Sequence, residues 1–498
     1  MRYRMLFKWK TPAVLAAVCS VALSLGFSTG ANAGETFYPP FQAKAANDNH
    51  RFDELYYAQP HNSFEHGSRL SEWLERGYRT LELDVIDRGD WESWDKGPYV
   101  SHSASPGNQN CSAASNDQLG HCLDDVVSWM NDHPNAMPLV LFVDMKASWD
   151  PLNAWYASEV EQLDEFIGNY LNSRLGNRFY QYQDLINHLN PHFQSNYRNT
   201  LKNVGWPKVS ELKGKLIVVL TGGFIGDVNG RMETALMNRF GAQSTFLCPD
   251  IDTADADEFS GAIDSMSAEH SSYFFCGNVK AGDHYQLTAN RAAQYKQIMH
   301  LWGAAGDFAN TAYESAWLAV AHGVSVISWD LDSPSSTPGW TASSIPLVGQ
   351  RRGLPGYFKI KPKVRPEYCL DVDKAQYGNG SDLLSWACGG GDNQQFVYTA
   401  EGQLRPKGDN HYCADFSTGS ADNGDKMHLW NCDGGSSEKW RITEDGAFQN
   451  LDSNGSHCMD IPGGTAESSE QWQIWRCSGG DNQKFYLESV SDWPQTAF

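Results

Sequence analysis

The sequence predicts an α/β fold, a TIM-like (β/α) barrel over residues 34–355, followed by an all-β domain over residues 365–498. Within residues 34–355, β-rich and helix-like segments alternate, which favours a parallel sheet covered by helices. The length of this region suits a barrel, whose active site lies at the carboxyl ends of the strands. After residue 365, three cysteine-containing units recur at intervals of 44 and 45 residues. Repetition of such β-like units predicts a closed body with threefold pseudosymmetry.

The first 33 residues have the features of a secretory signal peptide. Four basic residues precede an apolar run over residues 13–27 that is short for a membrane span, and Ala31-Asn32-Ala33 gives a small-x-small cleavage pattern. Cleavage there removes four basic and no acidic side chains, so the formal net charge of −22 becomes −26. We expect a secreted, extracellular and monomeric protein. A nucleic-acid partner is excluded because such binding relies on neutralising phosphate charge.

Ten cysteines remain after cleavage, in five pairs that are close in sequence. An even number of cysteines in an exported chain favours disulfides, although sequence alone does not fix their connectivity. A zinc site is the alternative, but the sequence contains no Cys-x-x-Cys pair. The pairs are Cys111/Cys122, Cys248/Cys276, Cys369/Cys388, Cys413/Cys432 and Cys458/Cys477.

The barrel region contains predicted strands that end in polar residues. The apolar run over residues 138–146 ends in charge, and residues 215–221 and 324–332 repeat the theme. Further predicted elements are strands at 55–60, 79–86 and 99–101 and helices at 69–77 and 119–133.

An oxygen-rich group of side chains is predicted at these strand ends. Residues two apart in a strand point to the same side, so Glu82 and Asp84 both face inwards. Neighbouring carboxylates repel each other unless a cation lies between them. With Asp144 and the amide oxygen of Asn62, they form a plausible set of calcium ligands.

Two histidines accompany this group. His61 directly precedes Asn62, and His102 follows the extended segment 99–101. Imidazoles supply acid, base and charge-stabilising chemistry near neutral pH, so we predict that both are catalytic. Lys146 either binds substrate phosphate or pairs with Asp144. The remaining histidines, His300 among them, have no comparable partners in the sequence.

Four motifs of the barrel region resemble the calcium-dependent phosphatidylinositol-specific phospholipase C family. They are His-Asn-Ser-Phe at 61–64, Glu-Leu-Asp-Val at 82–85, Val-Ser-His-Ser at 100–103 and Leu-Phe-Val-Asp-Met-Lys at 141–146. Asp84 stands where calcium-independent relatives have an Arg, which favours the metal-dependent branch. The resemblance implies Ca²⁺ as cofactor, a phosphatidylinositol-like lipid at a membrane surface as substrate, and diacylglycerol and an inositol phosphate as products.

The same resemblance implies a mechanism. Calcium polarises the phosphate and lowers the pKa of the inositol 2-hydroxyl. A base among Glu82, Asp84 and His61 takes that proton, His61 supports the charge at phosphorus, and His102 protonates the departing oxygen. Two alternatives stay open. A glycerophosphodiester phosphodiesterase also uses a Glu-x-Asp pair and two histidines, but typically has Arg-Gly after the first. A catalytically inactive glycan-binding lectin is the second.

Residues 356–364 are predicted to be a linker. Several lysines and Pro362 mark a change of composition there, as expected at a domain boundary. The three units that follow each open with Cys-x-Asp, continue with Trp-x-Cys and close with a polar-x-aromatic triplet.

These units resemble the ricin B-type lectin domain, a β-trefoil. In that family an early Asp, a later aromatic residue and an Asn before the final Gln bind one sugar per repeat. The chemistry is apt, since a carboxylate accepts hydrogen bonds from sugar hydroxyls and an indole face packs on the ring. Ser437 replaces the Asn in the second unit, so no site is assigned there. The implied carbohydrate-binding residues are Asp460, Gln473, Trp475 and Asn482 in the third unit, and Asp371, Trp386 and Asn393 in the first.

Overall fold

The structure is a computed structural model. It describes the ranges 45–102, 111, 118–146, 155–222, 228–252, 256–261, 263, 266–280, 285–302, 323–329, 333–334, 347–351, 357–398, 402–416, 420–443 and 446–490. The predicted signal peptide lies outside these ranges. Within them, no helix has the length and apolarity needed to cross a membrane.

The described strands of the N-terminal region form a parallel barrel. One sheet has the order β3-β2-β4-β5-β6 and the other the order β11-β1-β10-β9-β8-β7, with antiparallel β3 and β11 at their edges. The sheets meet where β6 and β7 follow each other, and where Gln59 donates to Thr80 Oγ1 over 2.9 Å. The (β/α) barrel prediction is confirmed. The strands are β1 (Leu55–Pro60), β2 (Thr80–Ile86), β3 (Tyr99–Val100), β4 (Leu139–Lys146), β5 (Leu216–Thr221), β6 (Phe246–Leu247), β7 (Asp250–Ile251), β8 (Cys276–Lys280), β9 (Ile298–Trp302), β10 (Val326–Trp329) and β11 (Val348–Gln350).

The sequence explains this architecture. Strands β1, β2 and β5 are buried along their whole length, as expected for parallel strands that pack on both faces. The second helix buries Leu119, Leu123, Val126 and Met130, which recur at helical spacing. The described helices are α1 (Ser71–Glu75), α2 (Leu119–Asp132), α3 (Ala157–Leu175), α4 (Tyr182–Leu189), α5 (Tyr197–Val204), α6 (Val209–Leu212), α7 (Val228–Arg239), α8 (Ala268–Ser271) and α9 (Tyr285–Gln294).

The C-terminal region consists of three four-stranded antiparallel sheets. Each repeat contributes a hairpin in which the first Cys faces the Trp of the same unit: Cys369 with Trp386, Cys413 with Trp430 and Cys458 with Trp475. This register gives the predicted threefold all-β body. The strands are β12 (Phe358–Pro362), β13 (Tyr368–Val372), β14 (Ser381–Ala387), β15 (Phe396–Tyr398), β16 (Leu404–Pro406), β17 (Tyr412–Phe416), β18 (Met427–Asn431), β19 (Trp440–Ile442), β20 (Phe448–Asn450), β21 (His457–Asp460), β22 (Gln473–Arg476) and β23 (Phe485–Ser489).

The predicted linker contains a strand, which corrects the sequence analysis. Strand β12 pairs antiparallel with β23, so the segment belongs to the all-β body. Phe358 and Ile360 are buried, whereas Lys361 lies 2.7 Å from Glu488 of β23. Alternation of apolar and basic residues is the period of a half-buried strand, which the lysine-rich composition concealed.

All five predicted cysteine pairs are disulfides. The bonds are Cys111–Cys122, Cys248–Cys276, Cys369–Cys388, Cys413–Cys432 and Cys458–Cys477. The second bond ties the stretch between β6 and β7 to the start of β8, and the last three close one loop in each repeat. Cross-links of this kind stabilise a chain mainly by restricting its unfolded state.

Candidate functional site

The turn after β1 carries His61 and Asn62 to the carboxyl end of the barrel. Asn62 adopts the left-handed backbone region with φ of 48°, which Asn tolerates better than most residues. Ser63 fixes the turn, because its hydroxyl donates to the Pro60 carbonyl over 2.8 Å and accepts from the Glu82 amide over 3.0 Å. The turn is therefore tied directly to β2, which carries the predicted carboxylates.

Asp84 and His102 form a hydrogen-bonded pair. Asp84 Oδ2 lies 2.7 Å from His102 Nδ1, and the Asp84 carboxylate is completely buried whereas half of the His102 ring is exposed. Burial raises the pKa of Asp84 to about 6, and the hydrogen bond from His102 acts in the opposite direction. The same bond raises the pKa of His102. Its second ring nitrogen, Nε2, is thus available for proton transfer.

Lys146 forms an ion pair at the centre of the group. Its Nζ lies 2.5 Å from Asp144 Oδ2 and 3.7 Å from Asp84 Oδ1, and Thr221 donates to Asp144 Oδ1 over 2.7 Å. Burial alone would lower the pKa of Lys146, but the two carboxylates raise it. Burial alone would raise the pKa of Asp144, yet Lys146 holds it below its usual value. The pairing alternative for Lys146 is the arrangement observed.

Glu82 occupies the next layer of the barrel interior. Its carboxylate is buried, accepts from Ser328 Oγ over 3.2 Å and lies 3.9 Å from His61 Nε2. Burial raises the pKa of Glu82, while His61 and Lys146 act to lower it. A carboxylate with a raised pKa beside an imidazole is suited to accepting a proton.

These residues differ in how well their oxygens suit a calcium ion. Asn62 Oδ1 and Asp84 Oδ1 are buried oxygens without a hydrogen-bond partner, which is the condition of ligands that bind a cation. Asp144, in contrast, is engaged by Thr221 and Lys146. Among the described residues, the carboxylates of Glu82, Asp84 and Asp144 do not bring three oxygens within 4.8 Å of one another. Asn62 and Asp84 therefore fit the ion best, with Glu82 beside them.

A hydrogen-bonded chain that the sequence analysis did not predict crosses the barrel interior. His300 is buried, with Nε2 at 2.6 Å from Gln59 Oε1 and Nδ1 at 2.8 Å from Asn278 Oδ1. Asn278 in turn donates to Asp250 over 2.8 Å. Asp250 interacts electrostatically with Asp144, and burial raises its pKa to about 7. In the sequence, only the polar residues within β7, β8 and β9 indicate this series of hydrogen bonds.

The residues predicted for the third carbohydrate site surround one cavity. Asp460 Oδ1 accepts from Gln473 over 2.9 Å, and Oδ2 accepts from Asn482 over 2.7 Å and from Gln483 over 2.9 Å. Trp475 is 42% exposed, whereas Trp472, which directly precedes strand β22, is completely buried. The cavity of about 440 Å³ is lined by Asp460, Gly463, Gly464, Gln473, Trp475, Ser478, Asn482 and Gln483.

The first repeat has a similar arrangement and the second does not. Asp371 accepts from Asn393 over 2.9 Å and from Gln394 over 2.7 Å. In the second unit, Glu438 takes the place of that glutamine and accepts backbone amides, so it offers no donor to the carboxylate of Asp415. The glutamine that orients each aspartate was not among the predicted site residues.

Comparison with known families bears on both regions. Residues 109–232 match the family model of Ca²⁺-dependent phosphoinositide phospholipase C, and residues 356–489 match that of the ricin-type β-trefoil lectin domain. The first match includes Asp144 and Lys146, and it begins after His61, Glu82, Asp84 and His102. No curated protein matches the chain.

Several solved structures are similar to parts of the chain. A calcium-dependent phosphoinositol-specific phospholipase C from Pseudomonas sp. is 23% identical, with 63% of this chain and 98% of that chain covered and a TM-score of 0.47. A Ca²⁺-dependent phosphatidylinositol-specific phospholipase C from Streptomyces antibioticus is 17% identical, with coverage of 60% and 99% and a TM-score of 0.45. The C-terminal half of an earthworm R-type lectin, solved with GalNAc, is 24% identical, with coverage of 27% and 99% and a TM-score of 0.24.

The barrel and the family matches define a phosphoric diester hydrolase of the phospholipase C type joined to a lectin domain. The enzymatic region is similar to the Ca²⁺-dependent phosphoinositide phospholipase C family over residues 109–232, and the C-terminal region is similar to the ricin-type β-trefoil lectins over residues 356–489. Both resemblances predicted from the sequence motifs are confirmed.

Proposed function

We propose that the chain is a secreted, calcium-dependent phospholipase C. It cleaves the glycerophosphodiester bond of a phosphatidylinositol-like lipid at a membrane surface, yields diacylglycerol and an inositol phosphate, and binds glycans through its trefoil. The observation that carries this proposal is the buried Asp84, which holds His102 with one oxygen while its other oxygen has no hydrogen-bond partner and lies 3.7 Å from Lys146 Nζ; Asn62 Nδ2 lies 3.5 Å from the same His102 nitrogen. One carboxylate thereby connects the proposed acid to the proposed metal ligands.

The residues divide the reaction between them. Asn62 and Asp84, with Glu82, would hold the ion, and Asp144 stays paired with Lys146. When bound, calcium lowers the pKa of the attacking hydroxyl and neutralises phosphate charge.

Protons move between the histidines and the substrate. Asp84 raises the pKa of His102, which favours its protonated form, and His102 gives its Nε2 proton to the departing diacylglycerol oxygen. Glu82 or His61, 3.9 Å apart, takes the proton of the attacking inositol hydroxyl. His61, whose side chain is 20% exposed, supports the charge that develops at phosphorus.

A substrate panel tests this proposal. Vesicles of phosphatidylinositol, vesicles of phosphatidylcholine and soluble glycerophosphoinositol are each incubated with the full chain, and released phosphates are separated by chromatography. We expect inositol phosphate from phosphatidylinositol alone. Cleavage of glycerophosphoinositol with the lipid left intact would instead assign a glycerophosphodiester phosphodiesterase, and no product from any substrate would leave only the lectin.

A further inference from the structure

In each repeat of the trefoil, a residue from another repeat lies beside the strand that carries the Trp. The identity of this residue differs among the three repeats. The residue thirteen positions after the first Cys of one unit lies beside the Trp-bearing strand of another unit. The three positions are equivalent by pseudosymmetry, yet their side chains carry different charges. The neighbouring pairs are Gln471 with Leu384, Asp382 with His428 and Lys426 with Gln473.

Of the three repeats, only the third has a cationic side chain, Lys426, at this neighbouring position. Lys426 Nζ donates to Gln473 Oε1 over 3.2 Å, and Gln473 Nε2 donates to Asp460 Oδ1 over 2.9 Å. The side chain of Lys426 is exposed. An ammonium group has three N–H donors, and the bond to Gln473 uses one of them.

The backbone fixes Lys426 relative to the exposed Trp475. The Gly424 amide donates to the Ile474 carbonyl over 2.9 Å, and Asn423 Oδ1 accepts from the Arg476 amide over 2.7 Å. The loop that precedes Lys426 therefore runs along β22. The adjacent Asp425 turns into this loop, since its carboxylate accepts from the backbone amide of Asp422 over 2.9 Å.

We infer that the third repeat prefers a glycan that carries an anionic substituent, a carboxylate or a sulfate, and that Lys426 pairs with that group. The inference rests on the proposed glycan binding of the trefoil. Asp460 already accepts from three amides and serves the sugar hydroxyls, so an anion must lie away from it and towards Lys426. Because the full sequence has a formal net charge of −22, a preference for an anionic ligand requires such a local cation.

Matched glycan pairs test this inference on the full chain. Methyl galactoside is compared with methyl galacturonoside, lactose with sialyllactose, and N-acetylgalactosamine with its sulfated form, by calorimetry or by surface binding. The variants are Lys426→Gln and Lys426→Glu. Lys213→Gln is the control, because it removes one positive charge from a partly exposed barrel lysine whose partner is Asp48.

The expected result is tighter binding of the anionic member of at least one pair. Lys426→Gln should remove about threefold to tenfold of that preference, Lys426→Glu should reverse it, and raised salt should weaken it, as for a partly exposed ion pair. Binding of the neutral member should stay unchanged in the Lys426 variants. Lys213→Gln should leave the preference for the anionic member as it is in the unaltered protein. Equal binding of both members by the unaltered protein, or a preference that survives Lys426→Gln, overturns the inference while leaving glycan binding intact. No binding to any member refutes glycan binding itself.

Discussion

Replacement of Asp84 by Asn separates the two roles assigned to this carboxylate. The change keeps the size of the side chain and removes its charge. In the structure, Asp84 Oδ2 contacts His102 at 2.7 Å, and Oδ1 is a buried oxygen without a hydrogen-bond partner. Asp84→Asn should therefore weaken both the proton donor and the binding of calcium.

The size of the effect follows from the contact. A hydrogen bond to a charged group contributes about 1.5–3 kcal/mol, so its loss costs roughly tenfold to a hundredfold in rate. Loss of a ligand charge adds to this at low calcium. The pKa of His102 falls once the carboxylate that raises it is gone, and the alkaline limb of the pH–rate profile should move to lower pH.

The assay is release of inositol phosphate from phosphatidylinositol vesicles from pH 5 to 9 at saturating calcium, because the alkoxide leaving group of the lipid needs the catalytic acid. Asp87→Asn is the matched control, because this buried aspartate follows the same strand and accepts from Trp91. We expect the control to retain the unaltered profile. An Asp84→Asn enzyme with normal kcat and an unmoved alkaline limb would refute the pairing of Asp84 with the catalytic acid.

Further predictions concern the histidines and the trefoil. His61→Ala and His102→Ala should each lower kcat by roughly 10²–10⁴-fold, which kinetics on folded protein would show. A nitrophenol leaving group should partly rescue His102→Ala, and preferential rescue of His61→Ala would reverse the assignment of the acid. Trp475→Ala should cost about 1–3 kcal/mol of glycan affinity and Trp430→Ala little, without effect on soluble-substrate turnover in either. Equal losses on a glycan array would show that the principal site is misplaced.

The sequence predicted the features that follow from local pattern. The apolar runs before His61 and Asp144 predicted strands of the barrel. The even number of cysteines, in five pairs close in sequence, predicted all five disulfides. Because the repeat period aligns the three units, it also located Asp460 and Trp475 around one cavity.

Features that depend on contacts between distant segments were missed. His300 has no partner in the sequence, since Gln59 and Asn278 reach it only across the barrel interior. Asp250 begins a strand of two residues that is too short to give a pattern. Lys426 lies in one repeat and contacts Gln473 of another, so alignment of the repeats does not reveal it.

The central claim is that a calcium ion held by Asn62 and Asp84 supports phosphodiester cleavage. The most direct test measures inositol phosphate release from phosphatidylinositol vesicles during calcium titration in chelator-buffered solution, at pH 7.5 and pH 5.5. No turnover is expected without calcium, and turnover should return on its addition. Half-saturation should require more calcium at pH 5.5, because protonation of Asp84, whose pKa lies at about 6, competes with the ion. Full turnover in excess chelator would contradict the account.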